Sequence, residues 1–187
     1  MNGLMMDYPL TTNTILEYGN SAFKHKKVIS HLPDGTRHEY SFGDLYKRCK
    51  ILANALTQKL GITKGDMVGT FAWNHSQHLE LYYGIPGIGA VCHTVNIRLS
   101  SQQIEFIINH SEDKVIFVDA TLVPLLEKIN NKFETVEHFI IINGSEGFST
   151  TLPNTMHYED LLKGQSEKFE WPSLDENEAC GICYTSG

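Results

Sequence analysis

The sequence predicts an α/β fold: a mostly parallel sheet with helices on both faces, preceded by an N-terminal helix and a β-hairpin. Three observations carry this. From Lys64 onward, short apolar runs alternate with amphipathic stretches of helical period. The runs, such as Met67-Val68-Gly69-Thr70-Phe71, lack the apolar-polar alternation of a sheet with one wet face, as expected for parallel strands covered on both sides. The 187 residues, 41% hydrophobic and 20% charged, have the composition of an ordinary globular domain large enough to bury a core.

The elements follow in order. Asn13 is expected to cap a short helix carrying Ile15, Leu16, Ala22 and Phe23. Residues 28–32 and 37–41 read as the arms of a hairpin around Pro33-Asp34-Gly35, which has turn chemistry. Ser41-Phe42-Gly43-Asp44 has the form of a capping box. Leu45, Cys49, Leu52 and Leu56 then recur on one helix face, closed by Gly61. Residues 1–63 are thus helix, hairpin and helix, and 64–187 alternate. There, 67–73 reads as a strand, 76–84 as a helix, 90–96 as a strand and 101–109 as a helix, with Ser100 and Gln103 forming a capping box and Leu99 and Ile104 a hydrophobic staple. A third strand is expected over 114–118, and Leu122, Leu125, Leu126 and Ile129 mark a third helix. Residues 138–142 make a fourth strand, 144–152 a loop, 158–162 a short helix within polar connections, and 179–184 a last, buried strand. The whole chain, 1–187, reads as one α/β portion.

Composition excludes several functions. With 15 Lys and Arg against 22 Asp and Glu, the formal charge of −7 repels polyanions, so no nucleic-acid partner is expected. No apolar run reaches the roughly 18 to 20 residues of a membrane span, and residues 85–91 are interrupted by Pro86, Gly87 and Gly89. The first residues lack the pattern of a secretory signal, which favours a cytoplasmic setting and free thiols. Cys180 and Cys183 have C-x-x-C spacing but fall in the last apolar run, where they would diverge and be buried. His75 and His78 share a helix face, yet a zinc site needs three or four ligands, so a polar helix start is expected and no histidine is assigned catalysis. The basic runs Lys24 to Lys27 and Lys47, Arg48 and Lys50 read as solvated surface, and Asp175, Glu176 and Glu178 as a polar entry to the last strand.

The last residues carry chemistry. An apolar strand runs directly into Thr185-Ser186-Gly187, where hydroxyls and backbone N–H groups suit phosphate oxygens and glycine permits close approach. Three such residues fit a plain surface turn equally well.

Residues 179–187, Ala-Cys-Gly-Ile-Cys-Tyr-Thr-Ser-Gly, resemble the approach to the phosphate loop of adenylate-forming enzymes, whose pattern continues Thr-Thr-Gly-x-Pro-Lys-Gly. Residues 65–70, 74–82, 86–100 and 103–119 are similar to the N-terminal domain of fatty-acid CoA ligases of the long- and medium-chain acyl-CoA synthetase branch, so the likeness covers nearly the whole chain. The resemblance implies a two-step reaction. A fatty acid attacks the α-phosphorus of ATP to give an acyl adenylate and pyrophosphate, and coenzyme A then displaces AMP. It implies that Thr185, Ser186 and Gly187 begin the ATP phosphate loop, with Thr185 the magnesium-side hydroxyl. It further implies a cytoplasmic enzyme, peripheral at the membrane and able to form a homo-oligomer. Alternatives are an aryl- or short-chain acid CoA ligase, another adenylating enzyme, or a non-catalytic interaction module.

The family's loop lysine, its adenine and acyl motifs and its mobile C-terminal domain have no counterpart in these residues, so the chain reads as a fragment holding no catalytic residue. ATP–pyrophosphate exchange by the 187 residues alone, with a fatty acid present, is expected at background; clear exchange would refute the fragment reading.

Overall fold

The structure, a computed structural model, describes residues 3–4, 8–32, 34–144 and 147–185. Helix α1 (Thr12–Phe23) begins one residue before the expected cap. Thr11 holds the extended N-cap conformation, while Asn13 is buried in the first turn and donates its amide to the Gly87 carbonyl at 3.1 Å. A tertiary contact has claimed the side chain that would otherwise cap the helix. Strands β1 (Lys27–His31) and β2 (Arg37–Ser41) pair antiparallel from Lys27↔Ser41 to His31↔Arg37; Pro33 of the connecting turn lies outside the described residues. Helix α2 (Phe42–Gln58) opens on the reciprocal Ser41–Asp44 capping box, and Leu45, Cys49, Leu52 and Leu56 are fully buried. Gly61, at φ +64°, turns the chain in a region that strains other residues.

The alternating half contains β3 (Met67–Phe71), α3 (Ser76–Gly87), β4 (Val91–Thr94), α4 (Ser101–Ser111), β5 (Val115–Asp119), α5 (Val123–Glu127), β6 (His138–Ile142), β7 (Thr155–His157), α6 (Tyr158–Leu162) and β8 (Gly181–Ile182). Among the described residues these strands form one six-stranded sheet in the order β7-β6-β5-β3-β4-β8, every pair parallel. Strand β3 receives β4 on one side and β5 on the other, so the order reverses between β3 and β5.

Successive strand residues feed opposite cores, as a sheet covered on both faces requires. Val68, Val115, Phe117, Ile140 and Ile142 pack with Leu52 and Leu56 of α2, Leu81 and Ile85 of α3 and Tyr158 of α6. Phe71, Ile116, Val118, Phe139 and Ile141 pack with Ile104 and Ile108 of α4 and Leu126 of α5 on the other side. Burial of each such large side chain contributes about 1.5–3 kcal/mol. The hairpin and α1 close a smaller cluster around Leu16, Leu45 and Cys49.

Several expectations need correction. The third helix is split into a 3-10 turn (Ala120–Leu122) and the five-residue α5, because Asp119 caps the turn through Thr121 and Pro124 favours a new first turn. Helix α3 runs past residue 84 to Gly87, carrying Pro86 in its last turn. Strand β7 was not foreseen; three residues with an exposed Met156 carry too little pattern. The last strand is two residues at the sheet edge rather than a buried run over 179–184, and Cys180 and Cys183 are exposed.

Helices α2 and α3 meet at Gly84, where a Cβ would stand 2.5 Å from Leu52 Cδ2 and 3.0 Å from Leu52 Cγ. Leu52 is fully buried and has little room to yield. Gly84→Ala should therefore lower stability by about 2 kcal/mol, outweighing the roughly 1 kcal/mol that alanine adds to an exposed helix. Urea unfolding midpoints would measure this.

Candidate functional site

Parallel strands all end on one edge of their sheet, and ligands of such folds sit beyond the strand C-termini. Strand β8 reaches that edge through the pairs Cys92↔Gly181 and His93↔Ile182. Cys183 is therefore level with Thr94, the end of β4, and Thr185 lies two residues beyond it, exposed. Ser186 and Gly187 lie outside the described residues. Tyr184 is half-buried. Its ring centroid is 5.2 Å from that of His93, and its hydroxyl is hydrogen-bonded to His110 Nδ1 at 2.6 Å.

Beneath Tyr184, His93 is fully buried on β4, its Nδ1 2.7 Å from Asp113 Oδ2 and 3.1 Å from Ser111 Oγ. Burial pushes the Asp113 carboxyl above the usual carboxylate range, with His93 opposing. The carboxylate fits because β3 offers Gly69 there; a Cβ on Gly69 would stand 2.9 Å from Asp113 Oδ2.

Where the strand order reverses, His75 precedes α3 in an extended conformation, and its Nε2 is 3.1 Å from Asp119 Oδ2 at the end of β5. Asp119 Oδ1 accepts from Thr121 N at 3.0 Å and Oγ1 at 2.7 Å, and the Trp73 indole N–H donates to Thr121 Oγ1 at 3.0 Å. His78 bridges the Trp73 carbonyl and Thr70 Oγ1, each at 3.1 Å. These bonds brace the loop after β3 against the loop after β5, while the buried His75 Nδ1 has no partner among the described residues.

A third group lines a cleft of about 420 Å³ between β2, α2, α3 and α6. Arg48 donates through Nε to Glu80 Oε1 at 2.7 Å and through Nη2 to Glu159 Oε1 at 2.7 Å, while the Tyr158 hydroxyl donates to Glu80 Oε2 at 2.7 Å. Burial raises the Glu80 pKa, with Arg48 opposing. Arg48 is thus an ion-pair partner rather than solvated surface, and His75 and His78 stand at the polar start of α3 with their rings buried. Their side-chain partners lie 8 to 111 residues away, so no local spacing announces them. A usable signal was the polar residue inside an apolar run, Thr70 in β3 and His93 in β4.

Among the described residues no group of three or more His, Cys, Asp or Glu side chains is placed to hold a metal ion. An exposed hydroxyl at residue 185 fits the way magnesium is held beside a polyphosphate, where one or two protein oxygens suffice and phosphate oxygens and water complete the shell. No helix among the described residues is long and apolar enough to cross a membrane.

The family model described as AMP-binding enzyme matches residues 19–187. The 3-methylmercaptopropionyl-CoA ligase of Ruegeria lacuscaerulensis is 38% identical over 188 residues, which cover 100% of this chain and 35% of that protein. The medium-chain-fatty-acid–CoA ligase of Ectopseudomonas oleovorans is 37% identical, covering 100% of this chain and 34% of its own length. The crystal structure of the anthranilate CoA ligase AuaEII in complex with anthranoyl-AMP aligns with a TM-score of 0.79 at 25% identity, over 97% of this chain and 33% of that one. The chain spans about a third of the length of the curated relatives it matches.

Burial lowers the His78 pKa to about 4 from an ordinary 6.5, so the folded state favours the neutral ring. That contribution is complete above pH 6.5 and is lost as pH falls toward 4, because the unfolded chain takes up the proton first. His78→Gln should flatten the loss of stability between pH 7 and pH 4.5 by roughly 2 kcal/mol, read from urea midpoints at the two pH values.

Proposed function

We propose, because this chain belongs to the family of AMP-binding enzymes, that residues 1–187 are the leading α/β portion of an acid–CoA ligase. Within it, 1–63 would supply the helix, hairpin and helix and 64–187 the alternating sheet. In the proposed reaction a carboxylate oxygen attacks the α-phosphorus of ATP, and the bond to the β-phosphate breaks and releases pyrophosphate. The thiol of coenzyme A then attacks the acyl carbon and AMP leaves.

One observation carries the reading: Thr185 stands exposed past the end of a strand that runs parallel to β4, on the sheet edge where ligands of such folds bind. Thr185, Ser186 and Gly187 would begin the loop around the β- and γ-phosphates, the Thr185 hydroxyl facing the metal and the backbone N–H groups the phosphate oxygens. Magnesium, when bound, supplies positive charge against the repulsion between a carboxylate and a triphosphate. The chain's own part is to hold that loop at a fixed height above the sheet.

For the acid we propose a medium- or long-chain fatty acid, supported by the medium-chain-fatty-acid–CoA ligase of Ectopseudomonas oleovorans and by the long-chain-fatty-acid–CoA ligase of Thermus thermophilus, which is 38% identical over 98% of this chain and 32% of that protein. A short or aromatic acid is the second reading, favoured by the methylmercaptopropionyl- and anthranilate-CoA ligases. The enzyme would be cytoplasmic, would meet its acid at the membrane surface and would be able to form a homo-oligomer.

ATP–pyrophosphate exchange by a ligase carrying this chain tests both parts. Decanoate or palmitate should stimulate exchange, and Thr185→Val should lower the rate at least about tenfold, as loss of a transition-state contact does. Stimulation by butyrate or benzoate alone would move the assignment to the second reading. No acid-dependent exchange, or an unchanged rate in Thr185→Val, would remove the proposed site.

A further inference from the structure

We infer that His110 and Tyr184 form a latch that positions the start of the phosphate loop, seated on the buried His93–Asp113 pair. The inference rests on reading Thr185 as the first residue of that loop. It starts from what the described residues place before Thr185. Strand β8 has two pairs with β4, the second being His93↔Ile182, and the residue that follows, Cys183, is exposed. Tyr184, adjacent to Thr185, is half-buried and has defined partners.

One partner, His110, lies on α4, and the other, His93 on β4, is itself held from the end of α4. His110 lies in the last turn of α4, stacked on Phe106 with ring centroids 5.3 Å apart, and bonds the Tyr184 hydroxyl at 2.6 Å. The His110 ring also meets the Tyr184 ring edge-on at 5.8 Å. The Tyr184 ring also packs against His93, which Ser111 at the end of α4 and Asp113 in the turn after it hold, and Ser111 Oγ donates back to the Ile107 carbonyl at 2.7 Å. Helix α4 itself is fixed by the Ser100–Gln103 capping box and by buried Ile104, Ile107 and Ile108. The loop start is therefore tied by a side chain to a rigid helix, two residues past the last main-chain pair among the described residues.

His110 and Tyr184 act through the loop and touch neither reactant, so they are positioning residues. Without the hydroxyl–imidazole bond, a triphosphate must order Thr185 itself, and loss of one such bond corresponds to about a fivefold loss of affinity.

The test uses His110→Phe, which keeps a ring against Phe106, and Tyr184→Phe, which removes only the hydroxyl. In the purified chain, the 15N order parameter of the Thr185 amide should fall in both variants from about 0.85 toward 0.6, while the amides of β4 and β5 keep wild-type values. His110→Gln, which can still bond the hydroxyl, should restore it. In the ligase carrying the chain, both Phe variants should raise the KM for ATP about fivefold with kcat within about twofold. An unchanged Thr185 order parameter in both variants would overturn the latch, as would an equal loss of order across β4 and β5. Absence of acid-dependent exchange in the wild-type ligase would instead overturn the functional reading, and the order parameters would still judge the latch.

Discussion

A parallel strand covered on both faces leaves its polar side chains nowhere to meet water. The buried Thr70, His93 and Asp119 therefore depend on protein partners, and an unmet group of this kind costs about 1–3 kcal/mol. Their partners lie where strands meet loops and helices: His78 in the first turn of α3, Asp113 in the turn after α4, and His75 and Thr121 at the two ends flanking the reversal of strand order. Satisfying the interior thus fixes the connections at the sheet's margins, and the candidate site inherits its geometry from the core.

How much of this was legible depends on how far apart the cooperating residues are. The capping boxes at Ser41 and Ser100 each declare themselves within four residues, and both are present. The strand over 138–142 and the one expected over 67–73, which ends at Phe71, were visible because β-branched and aromatic residues crowd into runs that continue through both cores. The helix expected from Leu122 to Ile129 was not, because apolar spacing says which residues face inward but not whether the backbone between them is one helix. Asp119 and Pro124 break it while Leu122, Leu126 and Ile129 remain buried.

The charged groups show the same limit and a partial remedy. Counting charges along the chain puts Arg48 in a basic run between Lys47 and Lys50. Placing it on the helix puts it three residues after Leu45 and four before Leu52, on the edge of the buried stripe. From there it reaches Glu80, which is 1% exposed and needs a cation to remain charged at that depth. Helical phase identifies the inward charge, but its partner, 32 residues away, emerges only when α2 and α3 pack.

Strand order alone would place a ligand between β3 and β5, at the reversal. That crevice is already occupied by the protein's own bonds: Asp119 spends one oxygen on His75 and the other on Thr121, and Thr121 also accepts from Trp73. Groups so engaged are poor receivers for a phosphate. At the end of β8, among the described residues, Tyr184 bonds His110 and Thr185 beyond it is exposed. If Thr185 opens the phosphate loop as proposed, the ligand-bearing end is set less by topology than by which strand terminus keeps polar groups outside the bonds that hold the fold together.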